Sequence, residues 1–169
     1  MPVSHTAVVA VEEIFALRWA VLRTGLPRQT AVYPEDARPD TFHIAAYDES
    51  GEVRGCATFF PDPAPDAAGE HLGQGGAEGG SRRGRGEPAY RFRGMGSAPE
   101  VRGKGFGAAA LTAGLRECAA RGAELVWCNG RIAATGFYEH LGFTAVGEEF
   151  VVEPSGPHHV FVTKDLDRG

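Results

Sequence analysis

Val101-Arg-Gly-Lys-Gly-Phe-Gly-Ala-Ala-Ala-Leu111 is the stretch around which the rest of the chain can be read. Gly103, Gly105 and Gly107 run straight into residues of good helix propensity, and Arg102 and Lys104 stand among them. A residue without Cβ lets a ligand close on the backbone. The first turn of a helix leaves N–H groups unpaired, pointing one way, at the positive end of the helix dipole. The spacing therefore predicts an anion site built from the amides of residues 103–107, and phosphate is the usual anion at such a site.

Two familiar phosphate signatures do not fit. A dinucleotide fingerprint needs G-x-G-x-x-G with an acidic residue after the next strand. Here the glycines are spaced G-x-G-x-G and the next apolar run ends in Trp127-Cys128-Asn129. The P-loop string G-x-x-x-x-G-K-[ST] is absent.

Composition narrows the field. At 169 residues the chain suits one domain, 1–169, with room for a real core. A net charge of −5 argues against general nucleic-acid affinity, because there is no basic excess to neutralise phosphates. Cys56, Cys118 and Cys128 are odd in number and lie in apolar runs, which predicts reduced core thiols in a cytoplasmic protein. No zinc-ligand spacing, secretory leader or membrane-length apolar run is present, so neither a metal nor a membrane is expected.

In chain order, residues 6–11 are a short β-branched strand. From Glu12 the period becomes helical, with Ile14, Phe15, Leu17, Trp19, Val21 and Leu22 ahead of Gly25-Leu-Pro27. Arg18 and Arg23 fall on or near the polar side of that helix, either as solvated charges or as contacts to a substrate near the site mouth. Residues 28–40 are a polar loop with a short helix around Glu35. Strands at 42–47 and 53–60 are joined by Asp48-Glu-Ser-Gly51, a hairpin turn by its chemistry, and His43 is an ordinary strand-end histidine.

Residues 61–88 are rich in Gly, Ala and Pro and hold little that would bury, so a flexible loop is predicted. Within it Ser81-Arg-Arg-Gly-Arg-Gly86 faintly resembles an RGG tract, one short basic cluster in an acidic chain. Tyr90-Arg-Phe-Arg93 alternates as a strand and runs into Gly94-Met-Gly96, where a bulge or a close ligand approach is expected. The helix after the glycine turn continues to Arg121, with Gly122 as its stop. Residues 125–128 are a buried central strand. Asn129-Gly130 is predicted to turn the chain into a helix at 132–141 carrying Phe137 and Leu141 as an apolar pair. Strands at 143–152 and 158–164 close the chain. This order predicts an α+β, three-layer fold: a mixed, mostly antiparallel sheet flanked by helices.

Arg102-Gly-Lys-Gly105-Phe-Gly107 resembles the R/Q-x-x-G-x-G/A acetyl-CoA motif of the GNAT superfamily of N-acetyltransferases. Arg93-Gly-Met-Gly-Ser97 with Pro99-Glu-Val101 is similar to that family's fourth strand and the turn after it. Ala134-Thr-Gly-Phe-Tyr138-Glu-His-Leu-Gly142-Phe143 is similar to its second signature, A-x-x-F/L-Y-x-x-x-G-F. Gly147-Glu-Glu-Phe150 and Gly156-Pro-His158 resemble a bacterial branch with a C-terminal G-P-H hairpin. The resemblance implies a sheet of about six to seven strands and acetyl-CoA as co-substrate. Its pantetheine arm would follow Met95, Gly96 and Ser97, and its diphosphate would sit on the turn formed by Arg102, Gly103, Lys104, Gly105, Phe106 and Gly107. Many members carry Asn seven residues before the signature tyrosine. Here that position is Arg131, and Asn129 is counted among the cofactor-binding residues instead.

The resemblance also assigns Tyr138 as general acid. A tyrosine near pKa 10 protonates a thiolate near 8.5 uphill by about 2 kcal/mol unless the site narrows the gap. For the base, Glu153, His158 and His159 lie around the last hairpin, and His has the better intrinsic pKa. Cys128 is expected to be a buried thiol, since direct transfer needs no protein nucleophile.

The function expected is acetyl-CoA-dependent N-acetylation of a primary amine, on a small molecule or a protein, by direct transfer in a ternary complex. The rival is a non-catalytic acyl-CoA-binding sensor or partner module. Partners are then an amine acceptor, without nucleic acid or membrane, in a monomer or homodimer. Glu148, Glu149 and Glu153 tilt the acceptor toward a cation, whereas Arg18 and Arg23 tilt it toward a carboxylate.

Overall fold

The runs of β-branched and aromatic residues form strands wherever a partner strand covers their backbone groups. The computed structural model describes residues 2–65 and 88–167. Among these, seven strands make one sheet: β1 Val3–Val9, β2 Phe42–Asp48, β3 Val53–Pro61, β4 Ala89–Ser97, β5 Leu125–Arg131, β6 Thr144–Val152 and β7 Gly156–Thr163. Their order across the sheet is β1-β2-β3-β4-β5-β7-β6. The β1–β2, β2–β3, β5–β7 and β6–β7 pairs are antiparallel, and β4–β5 is parallel. Three helices accompany them: α1 Val11–Leu22, α2 Phe106–Ala120 and α3 Thr135–His140. This is the mixed, mostly antiparallel sheet that the order of elements predicts. No described helix is long and apolar enough to cross a membrane.

One compact unit holds the chain up to Phe60 together with residues 92–117. Ile14 of α1 packs with Ala45 and Cys56 of β2 and β3, all three inaccessible to solvent, and Val9, Leu17, Tyr47 and Val53 close around them. Residues 28–40 form two short 3-10 turns, Arg28–Ala31 and Pro34–Ala37. The second carries Asp36, and here the structure overturns both readings of Arg18. Its side chain is fully buried. It pairs with Asp36 through two bonds of 2.7 and 3.1 Å and donates to Thr58 Oγ1 and the Ala31 carbonyl. His43 is buried beside it, 2.8 Å from Thr58 Oγ1.

Removing one partner of such a pair leaves the other buried and uncompensated, which costs about 3–5 kcal/mol. Arg18→Ala should therefore lose about that much stability in urea unfolding, and Arg18→Met/Asp36→Leu should recover part of it. An unchanged midpoint for Arg18→Ala would show that the pair contributes nothing.

The second unit holds, of the described residues, 61–65, 88–91 and 118–167. Here Ala89, Tyr90 and Arg91 pair with Leu125, Val126 and Trp127. Leu125, Trp127, Val146, Val160 and Val162 form its core. The Trp127 indole donates to the Asp62 carbonyl at 2.9 Å, and the Arg91 guanidinium lies 5.0 Å above its ring.

Two expectations fail in this unit. Asn129-Gly130 is not a turn: β5 continues to Arg131, because β7 supplies partners for Asn129, Gly130 and Arg131. The helix after it is also shorter, a 3-10 turn Ile132–Ala134 leading into α3. On α3 the side chain that buries is Tyr138, while Phe137 stays 37% exposed. The glycine-rich segment and its RGG-like cluster lie, apart from the ends at 61–65 and 88, outside the described residues.

Candidate active site

In the first unit β4 ends at Ser97, a 3-10 turn Pro99–Val101 follows, and α2 begins at Phe106. The link between them is a tight bend. Gly103 and Gly105 take positive φ, 80° and 91°, a region where a Cβ is strained whatever the space around it. Turn bonds use the amides of Arg102, Lys104 and Ala109, which donate to Pro99, Val101 and Gly105. Among the described residues nothing accepts from the N–H groups of Gly105, Phe106, Gly107 or Ala108. Four successive open donors at the start of a fifteen-residue helix form the cradle that an anion needs. Arg102 and Lys104 are exposed beside it, whereas Phe106 is buried and anchors the turn. Met95, Gly96 and Ser97 are half-buried at the end of β4. A Cβ on Gly107 would stand 3.0 Å from Ser97 Oγ, so only glycine leaves that approach free.

In the second unit Tyr138 is held by aromatic neighbours, with Phe161, Phe143 and Phe137 ring centroids 4.6–5.8 Å away. Gly130 supplies the room: a Cβ there would lie 2.6 Å from Tyr138 Cε2. The Tyr138 hydroxyl is hydrogen-bonded to the Cys128 thiol. Burial first, and the neighbouring thiol second, push the phenol well above its ordinary value. Burial likewise pushes the Cys128 thiol up to about 12, so it stays protonated. All three cysteines are free and buried. The Tyr138–Cys128 contact has no signature in the sequence, because it depends on α3 packing across β5.

The two histidine base candidates fall on opposite faces of the β5–β7 pair. Register and alternation put Cys128, Gly130, His159 and Phe161 on the face that Tyr138 packs against. Trp127, Asn129, Arg131, His158 and Val160 occupy the other face. His158 is buried with Nδ1 2.8 Å from the Gly156 carbonyl. A carbonyl only accepts, so Nδ1 is the donor of this bond. His159, half-buried, meets Phe161 edge-on. Glu153 is exposed in the turn between β6 and β7, and Asn129 is exposed on β5. Tyr138 and His158 thus lie on opposite faces of the β5–β7 pair. Among the described residues no cluster of His, Cys, Asp or Glu is placed to hold a metal.

Comparison with known proteins gives a consistent picture. A model of the acetyltransferase (GNAT) family matches residues 10–143. The chain is 26% identical over 155 residues, 90% of each protein, to the uncharacterized N-acetyltransferase YitI of Bacillus subtilis (strain 168). Its fold is similar to that of a putative N-acetyltransferase from Lactobacillus plantarum, with TM-score 0.67 and 18% identity, covering 95% of this chain and 99% of that one. It is also similar to an acyl-CoA N-acyltransferase from Pseudomonas aeruginosa, with TM-score 0.62 and 19% identity, covering 94% and 97%.

Proposed function

The chain belongs to the GNAT family of acetyltransferases and is an acyltransferase, and on that premise we propose that it moves an acetyl group from acetyl-CoA directly to a primary amine of a small molecule or protein. The observation that carries this reading is the run of four open amides from Gly105 to Ala108, flanked by Arg102 and Lys104. A diphosphate fits that donor set. Each charge-assisted bond contributes about 1.5–3 kcal/mol, so a few of them account for much of a micromolar affinity, about 8 kcal/mol. The backbone of Met95, Gly96 and Ser97 holds the pantetheine arm, and Asn129 is assigned to the cofactor as well. Acetyl-CoA, when bound, supplies the acyl group as a thioester.

The residues of the chain then meet three needs. A backbone N–H beside Gly94–Gly96 faces the negative charge that develops on the carbonyl oxygen. Tyr138 donates its proton to the departing sulfur. Because burial has raised its pKa, the gap to a thiol is wider than the intrinsic values give, and the phenol first stabilises the thiolate by hydrogen bond. His158 Nε2 takes the proton of the amine, directly or through water, with Glu153 as the other candidate.

A thiol-release assay with acetyl-CoA and a panel of primary amines tests the reading. Amine-dependent release of CoA is expected. Acetyl-CoA binding with no release from any amine would leave the chain a non-catalytic acyl-CoA-binding module.

A further inference from the structure

Three arginines converge on one phenol ring in the first unit. The guanidinium carbons of Arg18 and Arg93 each lie 3.9 Å from the Tyr33 centroid, and that of Arg23 lies 5.7 Å away. Two of these charges are already met. Asp36 pairs with both terminal nitrogens of Arg18, and Glu35 accepts from Arg93 at 3.2 Å. Arg23 is different. Its Nε donates to the Thr30 carbonyl and its Nη1 to the Leu22 carbonyl, so the group is fixed by backbone. No carboxylate among the described residues pairs with it, and its Nη2 has no acceptor there. With its two neighbours neutralised, Arg23 is the half-buried member of the cluster whose charge is left for an anion to meet.

The position of this charge says which anion. Arg23 directly follows Val21 and Leu22, whose side chains lie 3.3 and 3.7 Å from where a Cβ on Gly96 would stand. The Tyr33 hydroxyl lies 3.2 Å from the corresponding point on Gly94. The unmatched guanidinium thus flanks the Gly94–Gly96 backbone, the segment assigned above to the acyl arm, on which this inference rests. An amine that attacks there brings its own substituents toward Arg23. Glu148, Glu149 and Glu153, the residues that would favour a cationic acceptor, are exposed on β6 and the turn after it.

We propose that the acceptor is an amine that also carries a carboxylate, and that Arg23, backed by Tyr33 and Arg93, selects it. A guanidinium with one free edge receives a carboxylate through short charge-assisted bonds, and a lysine cannot reproduce the planar geometry.

The test pairs α-amino acids with the amines left when their carboxylate is removed: phenylalanine with phenethylamine, leucine with isopentylamine, methionine with 3-(methylthio)propylamine. Thiol release is expected to favour the amino acids. Arg23→Gln should raise KM for them about 10- to 100-fold, with kcat and the calorimetric Kd for acetyl-CoA unchanged, and Arg23→Lys should recover only part. Equal or better turnover of the amines, or a preference unaltered in Arg23→Gln, would overturn the assignment. If no acceptor releases CoA, the transferase reading falls instead. Calorimetry of the same pairs then decides this one: carboxylate-dependent binding lost in Arg23→Gln sustains it, and its absence removes it.

Discussion

Tyr138→Phe is expected to lower kcat about 10²- to 10⁴-fold, the range for loss of a positioned general acid, while the calorimetric Kd for acetyl-CoA stays as it is. The substitution removes one oxygen from a ring packed by Phe137, Phe143 and Phe161, so the shape of the site survives. What is lost is the hydroxyl bonded to Cys128. The same residue fixes the pH profile. General acid catalysis uses the protonated phenol, which is the form present below its pKa. Burial raises that pKa above the ordinary value of 10.0, so the acid remains loaded throughout the range in which the amine deprotonates. The rate should rise with pH as the acceptor loses its proton, with no fall near pH 10. An alkaline limb with a midpoint near or below 10 would mean that some other group donates the proton, and equal turnover by Tyr138→Phe would remove the residue from the reaction.

The contrast between Tyr138 and Arg18 shows what a sequence discloses and what it hides. The glycine turn, the hairpins and the succession of strands and helices along the chain are local in origin: residue type and spacing within a short window determine them. Arg18 is not local. Helical periodicity puts it on the polar side, and Ala31, Asp36 and Thr58, 13, 18 and 40 residues away, make a fully buried guanidinium tolerable. Asn129-Gly130 fails as a turn for the same reason. The dipeptide favours one, yet pairing with Val160 and His159 holds it extended, and tertiary context overrides propensity. The facing of His158 away from Tyr138 follows from the register of β7 on β5, which no count along one strand supplies.

The second large effect is expected at the anion turn. Gly107→Arg should abolish acetyl-CoA binding by calorimetry, while circular dichroism keeps its native form. Gly103 and Gly105 need glycine for their φ, and any side chain there strains the bend itself. Gly107 carries no such demand: it lies in the first turn of α2, a conformation any residue adopts. Its side of the turn is where space runs out, with Ser97 Oγ 3.0 Å from the Cβ position. A larger side chain is expected to take up the space beside the open amides of Gly105, Phe106 and Ala108, since a Cβ there already crowds Ser97. The added charge attracts phosphate, so electrostatics alone would tighten binding. Steric exclusion wins because the amides act only at hydrogen-bond distance, and a phosphate held off by one side chain reaches none of them. Binding undiminished in Gly107→Arg would place the diphosphate elsewhere, and with it the acyl arm and every role derived from its position.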